Sequence, residues 1–190
     1  MQTHTPLGGG FDDPAKQAAT AFRAVMEAMA RPGQIEQITG ATPPAPLSPA
    51  AGAVLLTLCD TETPLYLAGR CNTAALRDWL AFHIGAPLVA PADCAFAVGT
   101  WADLQPLTDY STGTASYPDR SATLIVEMER MGDRGALLRG PGIRDSAQLS
   151  LPDMAAFRRN AALFPLGLDF FLTCKDRVAA LPRSTQVEDG

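Results

Sequence analysis

The sequence contains very few lysines and histidines. Of its 15 basic residues only Lys16 and Lys175 are lysines, and the only histidines are His4 and His83. The formal net charge is -5, and no basic stripe alternates with aromatic residues, which argues against nucleic-acid binding as the main activity. A metal site needs several convergent ligands, and two distant histidines do not supply them. A small anionic substrate remains compatible with this composition.

Long apolar runs and export signals are also missing. No stretch reaches the ~18 consecutive apolar residues of a membrane helix. The opening "MQTHTPLGGGFDD" has neither a basic segment nor an apolar one, so no signal peptide is visible. The four cysteines show no CxxC spacing. We therefore expect reduced, mostly buried thiols and a cytoplasmic protein.

The common nucleotide-binding and hydrolase motifs are absent as well. The sequence has no GxxxxGK[ST] loop, no GxGxxG and no GxSxG elbow. The most suggestive segment is "STGTASYPDR", in which Ser111, Thr112, Gly113 and Thr114 precede Arg120. Such residues are typical of an ordinary turn, and the same groups could hold a phosphate. Both interpretations stay open, with the plain turn favoured.

What is present predicts an α/β protein of ordinary size. The 190 residues fit one domain, which we place at residues 12–190 after a flexible tail at residues 1–11. Four helices are expected, within "DDPAKQAATAFRAVMEAMARPG", "AAGAVLLTLCD", "TAALRDWLAFHIG" and "LPDMAAFRRNAALFPLG". Their predicted caps are Asp12 or Asp13 for the first, Ser48 for the second and Asn72 for the third.

Short apolar segments between these helices are typical of strands, and they predict a three-layer domain with a mixed central sheet. The strand candidates are "QIEQI", "PLYLAG", "CAFAVG", "SATLIVEM", "ALLRGPGI", "LDFFLTC" and "RVAAL". On the first helix, Phe22, Val25, Met26 and Met29 share one apolar face. The last residues, "PRSTQVEDG", are expected to trail away from the fold.

Individual reactive side chains give weak signals for catalysis. Cys59, Cys94 and Cys174 adjoin apolar runs, where burial makes a thiol inert. Lys175 follows a buried strand, where a Schiff base with pyridoxal phosphate could form, but the sequence "CKDR" favours a hydrated turn. His83 is expected at the edge of the core, bonded to a backbone group.

One buried charge requires a partner. Asp169 lies within "FPLGLDFFLTC", where an unpaired carboxylate would cost several kcal/mol, so it must pair or lie at the entrance of its strand. Arg183 is the candidate partner, in a structural role. The residues therefore supply no self-sufficient catalytic set, as expected of a subunit whose catalysis depends on others.

Seven segments taken together resemble one known family. They are "FRAVMEAMARPG", "LLTLCDTETPLYL", "FHIGAP", "STGTASYPDRSATLIVEM", "LLRGPGI", "FPLGLDFFLTC" and "LPRSTQVE", in that order. They resemble the PhnH family, the H subunit of the bacterial carbon–phosphorus lyase core complex, over about residues 12 to 188. Cys59 and Ile84 stand where we would expect other residues, without altering any proposed chemistry.

The resemblance implies a role in phosphonate use. Members of this family act with the G, I and L subunits to join methylphosphonate to the ribose C1′ of ATP. The reaction releases adenine and forms α-D-ribose 1-methylphosphonate 5-triphosphate. The resemblance also implies a homodimer that joins further subunits of the complex, among them G, I and J. We expect the isolated chain to be inactive.

The resemblance implies a fold similar to that of pyridoxal-phosphate-dependent transferases without the cofactor and its lysine, so no cofactor is expected. No metal is expected either, because the sequence lacks convergent ligands. No catalytic residue can be carried over. For Ser111, Thr112, Gly113, Thr114 and Arg120 the first expectation is a stiff loop that shapes a cleft or subunit contact, and the second is anion capture. The alternative function is an independent transferase that binds a small phosphate- or phosphonate-bearing ligand, such as pyridoxal phosphate.

Overall fold

Four α-helices and nine β-strands make up residues 8–190, the part of the chain that the computed structural model describes. The helices are α1 (Pro14–Ala30), α2 (Pro49–Leu58), α3 (Ala74–His83) and α4 (Met154–Ala161). The strands are β1 (Glu36–Gln37), β2 (Leu65–Leu67), β3 (Phe96–Thr100), β4 (Thr123–Glu127), β5 (Ala136–Arg139), β6 (Ala147–Leu149), β7 (Asp169–Cys174), β8 (Arg177–Leu181) and β9 (Gln186–Glu188). The predicted α/β class is confirmed.

The strands form two sheets of different size. The six-stranded sheet has the order β1-β8-β7-β4-β3-β2. Strands β2, β3, β4 and β7 run parallel, whereas β8 pairs antiparallel with both β7 and β1. The smaller sheet is antiparallel, with the order β6-β5-β9. The large sheet is therefore mixed, as the sequence predicted.

Alternation along the central strands directs side chains to both faces of the large sheet. In β4, Ile125 joins the apolar cluster formed with α1, α2 and α3. Its neighbours Leu124 and Val126 join the cluster formed with α4 and the small sheet. Because side chains alternate along a strand, these clusters lie on opposite faces. Both faces of the sheet are thus covered, which explains why its strands are apolar throughout.

Short polar side chains start the helices. Oδ1 of Asp13 accepts from the N–H of Lys16 at 3.4 Å, and Oγ of Ser48 accepts from the N–H of Ala51 at 3.2 Å, as predicted. The predicted cap of α3 is wrong by one residue. Thr73 caps that helix, because Asn72 ends the short 3₁₀ helix Gly69–Cys71 and its side chain instead accepts from the Arg77 guanidinium.

Both ends of the described chain pack against the fold. The carbonyl of Gly8 accepts from Trp79 Nε1 at 3.1 Å, while residues 1–7 of the expected tail lie outside the described residues. The expectation that the C-terminal segment trails away is wrong. Val187 is 6% exposed, and its strand β9 pairs with β5. Because side chains alternate along a strand, the single apolar residue Val187 between two polar neighbours is enough to pack this short strand on the small sheet.

The apolar face of α1 is only half covered. Val25 is buried, but Phe22 and Met26 are 52% and 48% exposed. Together with Met29 they line an open groove that reaches the sheet at Phe96. No helix within residues 8–190 is long and apolar enough to cross a membrane.

Candidate functional site

The segment between β3 and β4 folds back on itself at residues 111–122. Thr112 and Ser121 form an isolated antiparallel bridge. Further along the loop, Thr114 and Tyr117 exchange two backbone hydrogen bonds, at 3.1 and 3.0 Å. This closure makes residues 111–122 a stiff loop at the amino-terminal end of β4. We call it the STGT loop.

A glycine is required inside the STGT loop. Gly113 has a φ of 81°, in the region that residues with a side chain rarely adopt. A Cβ added there would lie 2.6 Å from the carbonyl oxygen of Pro118. The glycine therefore allows the two arms of the loop to approach closely.

Most of the polar groups predicted to hold an anion are used within the loop. Oγ of Ser111 donates to the Arg120 carbonyl at 3.0 Å, and Oγ1 of Thr114 accepts from the N–H of Tyr117 at 3.1 Å. The Arg120 guanidinium stacks on the Tyr117 ring, 4.1 Å from its centroid. Thr112 is the member of the set that faces a cavity. Because these groups are already engaged, the pattern favours a stiff loop that shapes its surroundings over a loop that captures an anion.

The loop is anchored by the predicted pair of Asp169 and Arg183, which the structure confirms. The Arg183 guanidinium binds both carboxylate oxygens of Asp169, with Nε to Oδ1 at 3.1 Å. It also donates to the carbonyl of Pro118 and to the hydroxyl of Ser121. The side chains of the pair are only 14% and 21% exposed. One ion pair thus joins the start of β7, the end of β8 and the STGT loop.

A cavity of about 340 Å³ lies between the STGT loop, the segment 105–108 and α4. Its apolar wall consists of Pro106, Leu107, Ala156, Leu163 and Leu168. Its polar groups come from Gln105, Thr108, Thr112, Arg159 and Asn160. An apolar pocket with a few convergent polar groups is the usual form of a small-ligand site.

Asn160 holds the floor of this cavity in place. Its side chain is buried, and it makes two hydrogen bonds of 2.8 Å with the backbone of Leu168. Gly167 in turn donates its N–H to the Thr112 carbonyl at 3.0 Å. The end of α4, the start of β7 and the STGT loop therefore form one connected frame.

A second polar feature lies at the opposite, carboxyl-terminal end of β4. Oε1 of Glu127 accepts from the N–H of Ser48 at 2.6 Å, at the start of α2. Burial raises the pKa of the Glu127 carboxyl, although hydrogen bonds from Ser48 and Thr173 act in the other direction. A carboxylate at a helix start is favourable, so Glu127 connects α2 to the sheet.

The sequence matches a known protein family. The family model described as bacterial phosphonate metabolism protein (PhnH) matches residues 9–188. The chain belongs to the PhnH family. The match includes the STGT loop, the Asp169–Arg183 pair and all residues that line the cavity.

Two curated relatives agree with this assignment. The chain is 41% identical to "Alpha-D-ribose 1-methylphosphonate 5-triphosphate synthase subunit PhnH" of Rhizobium meliloti (strain 1021), over 95% of this chain and 94% of the relative. It is 29% identical to "Putative C-P lyase subunit protein HtxG" of Stutzerimonas stutzeri, over 91% of this chain and 87% of the relative. The resemblance to the PhnH family is thereby confirmed.

The cysteines of this PhnH-family chain lie in the core. All four are buried, as predicted, and none forms a disulfide. Burial raises the pKa of Cys59 to about 12, and that of Cys71 and Cys94 to about 11. The thiols of Cys59, Cys71 and Cys94 are therefore protonated at neutral pH and poor nucleophiles.

The remaining candidates lie apart from the cavity. Lys175 is exposed in the turn between β7 and β8, with a φ of 57°, as the hydrated-turn hypothesis predicted. His83 is half-buried, and its Nε2 lies 3.4 Å from the Gly8 carbonyl oxygen. His4 lies outside the described residues. No cluster of metal-ligating side chains occurs within residues 8–190.

Sequence reasoning missed Arg159 and Glu127. Arg159 stands next to Arg158 on α4, and nothing in the local pattern distinguishes the two. Only the fold shows that Arg158 bonds the Val187 carbonyl and Asp189 whereas Arg159 lines the cavity. For Glu127 a signal existed, since it ends the apolar strand "TLIVE" and a charge there is partly buried.

Proposed function

We propose that this chain is the H subunit of a synthase that forms α-D-ribose 1-methylphosphonate 5-triphosphate from ATP and methylphosphonate with release of adenine. The observation that carries the proposal is the 41% identity to a relative of that name, which extends over 95% of this chain. The partners would be the G, I and L subunits during synthesis, and G, I and J in the larger assembly. The proposal includes a cytoplasmic location and one domain from residue 12 to residue 190.

The contribution of this subunit is assembly and shaping of a site rather than catalysis by itself. The buried thiols, the exposed Lys175 and the hydroxyls of Ser111 and Thr114, which are bonded within their own loop, support this role. The thiols are buried, Lys175 is solvated, and the two hydroxyls are already hydrogen-bonded. The reacting groups are then expected on the partner subunits.

Co-expression tests the proposal directly. A tagged copy of this chain, expressed together with its neighbouring genes, should co-purify with other subunits. Adenine release from ATP in the presence of methylphosphonate should require the assembled subunits. Purification of the tagged chain without partners would contradict the proposal, and adenine release by the isolated chain would contradict the non-catalytic role.

A homodimer is part of the proposal. Several large apolar side chains are more than 40% exposed, which supports burial of apolar surface between copies; they include Phe22, Met26, Phe82, Leu163 and Phe164. Light scattering should give a mass near 40 kDa, about twice the 20.0 kDa chain, at both low and high salt. A monomer in both buffers would refute it, and a dimer lost only in high salt would refute an apolar interface.

An independent transferase that uses pyridoxal phosphate is the second candidate. The mixed sheet with layers on both faces supports a likeness to that transferase fold. The lysines argue against a Schiff base, because the Lys16 side chain is 86% exposed and Lys175 lies in an open turn. A visible absorption band after pyridoxal phosphate is added, lost in Lys175→Ala, would favour this candidate. We expect no such band, and unchanged function of Lys175→Ala in the complex.

A further inference from the structure

The cavity beside the STGT loop has an unbalanced charge. Arg159 is one of its lining residues, and none of the lining residues is acidic. The ion pairs within residues 8–190 involve other arginines, so Arg159 has no acidic partner there. The protein itself is acidic overall, with a net charge of -5. A lone cation at an apolar cavity is therefore a local exception that favours an anion.

Two hydroxyls can assist the guanidinium. The Thr112 backbone carbonyl is bonded to Gly167, but no hydrogen bond occupies its side chain, or that of Thr108, among the described residues. Gln105, by contrast, already donates its side-chain nitrogen to the Trp101 carbonyl at 3.2 Å. The cavity thus presents one charged donor and two hydroxyls against a wall of leucine, proline and alanine.

We propose that this cavity binds a small organic oxyanion through Arg159 and Thr112, with the apolar substituent of the ligand against Leu107, Leu163 and Leu168. Arginine binds phosphorus oxyanions with two parallel hydrogen bonds, and a volume of about 340 Å³ lies at the small end of ligand pockets. The choice of a phosphonate or phosphate ester over a carboxylate rests on the function proposed above. Arg120, which stacks on Tyr117, has no part in this site.

Phenylphosphonate is a suitable probe because it joins a phosphonate to an apolar ring. Titration of the full chain by calorimetry, and by amide shifts in NMR spectra, should show saturable binding, with shifts at Thr108, Thr112 and Arg159. Arg159→Gln should weaken binding about 10- to 100-fold, as expected for a lost charge-assisted hydrogen bond. Inorganic phosphate should bind more weakly because it lacks the ring, and neutral benzyl alcohol because it lacks the charge.

Matched variants separate this site from other arginines. Arg23→Gln alters an exposed arginine on α1, far along the chain from the cavity, and should leave binding unchanged. Arg120→Gln should do the same. Arg159 is exposed, so its variant should fold, and circular dichroism will check this.

Absence of saturable binding, or binding that Arg159→Gln leaves intact, would overturn the proposal. Equal loss in Arg120→Gln would place the ligand on the STGT loop instead and would also overturn it. Binding of benzoate in place of phenylphosphonate would overturn the assignment to phosphorus oxyanions. The measurement needs no partner subunit, so its failure would leave co-purification and adenine release, the tests of the proposed function, unaffected.

Discussion

Replacing Arg183 with methionine removes the guanidinium that anchors the STGT loop but keeps most of the apolar stem. The Asp169 carboxylate would lose its side-chain partner while remaining 21% exposed. Breaking a buried ion pair by removing one partner costs about 3–5 kcal/mol. Because the backbone N–H of Arg183 still donates to Asp169 at 2.8 Å, we expect the lower end, a loss of about 3 kcal/mol in the free energy of unfolding.

A second arginine provides the control. Arg139 pairs with Glu188 at 3.3 Å, with side chains 50% and 48% exposed. Exposed pairs contribute about 0–1 kcal/mol, so Arg139→Met should cost less than about 1 kcal/mol. Both variants remove the guanidinium of an arginine that is paired with a carboxylate. The pairs differ mainly in the burial of their side chains and in the hydrogen bonds that Arg183 alone makes to the STGT loop.

Urea unfolding at pH 7 followed by circular dichroism measures both losses. Hydrogen exchange adds a local readout, since amides of residues 111–122 should exchange faster in Arg183→Met alone. The double variant with Asp169→Asn should be less destabilised than the sum of the single changes, because the charges are coupled. Equal losses for Arg183→Met and Arg139→Met would refute the anchoring role.

Three further predictions concern titrating and exposed groups. Burial raises the pKa of the Glu127 carboxyl, so the free energy of unfolding should fall as the pH rises from the ordinary glutamate pKa through the folded one. Glu127→Gln should flatten this fall, measured as urea midpoints from pH 4 to 8. A pH profile that the variant leaves unchanged would contradict the prediction. Lys175→Gly should raise the free energy of unfolding by about 0.5–1 kcal/mol, because Lys175 has a φ of 57°, which is unfavourable for a residue with a side chain but not for glycine. Destabilisation by this variant in the same assay would contradict backbone strain at Lys175. The four buried thiols should react with an aromatic disulfide reagent at pH 8 only after unfolding, and rapid labelling of any native thiol would show otherwise.

Local patterns determined much of the fold of this protein. An acceptor side chain before a proline marked the starts of α1 and α2, because Asp13 and Ser48 can accept from the next exposed N–H groups. Uninterrupted apolar runs marked the central strands, because a sheet covered on both faces has no polar side. The cost of burying a lone carboxylate even identified Arg183 as the partner of Asp169.

The tertiary structure alone decided which side chains share a site. Thr112 and Arg159 are far apart in the sequence and meet at one cavity, because β4 and β7 are parallel neighbours and their preceding segments reach the same end of the sheet. Glu127 likewise reaches the start of α2 from 79 residues away. Helix capping and burial depend on a few adjacent residues. Contacts between residues that are distant in the sequence depend on the strand order and on the path of every connection, and no local pattern encodes these.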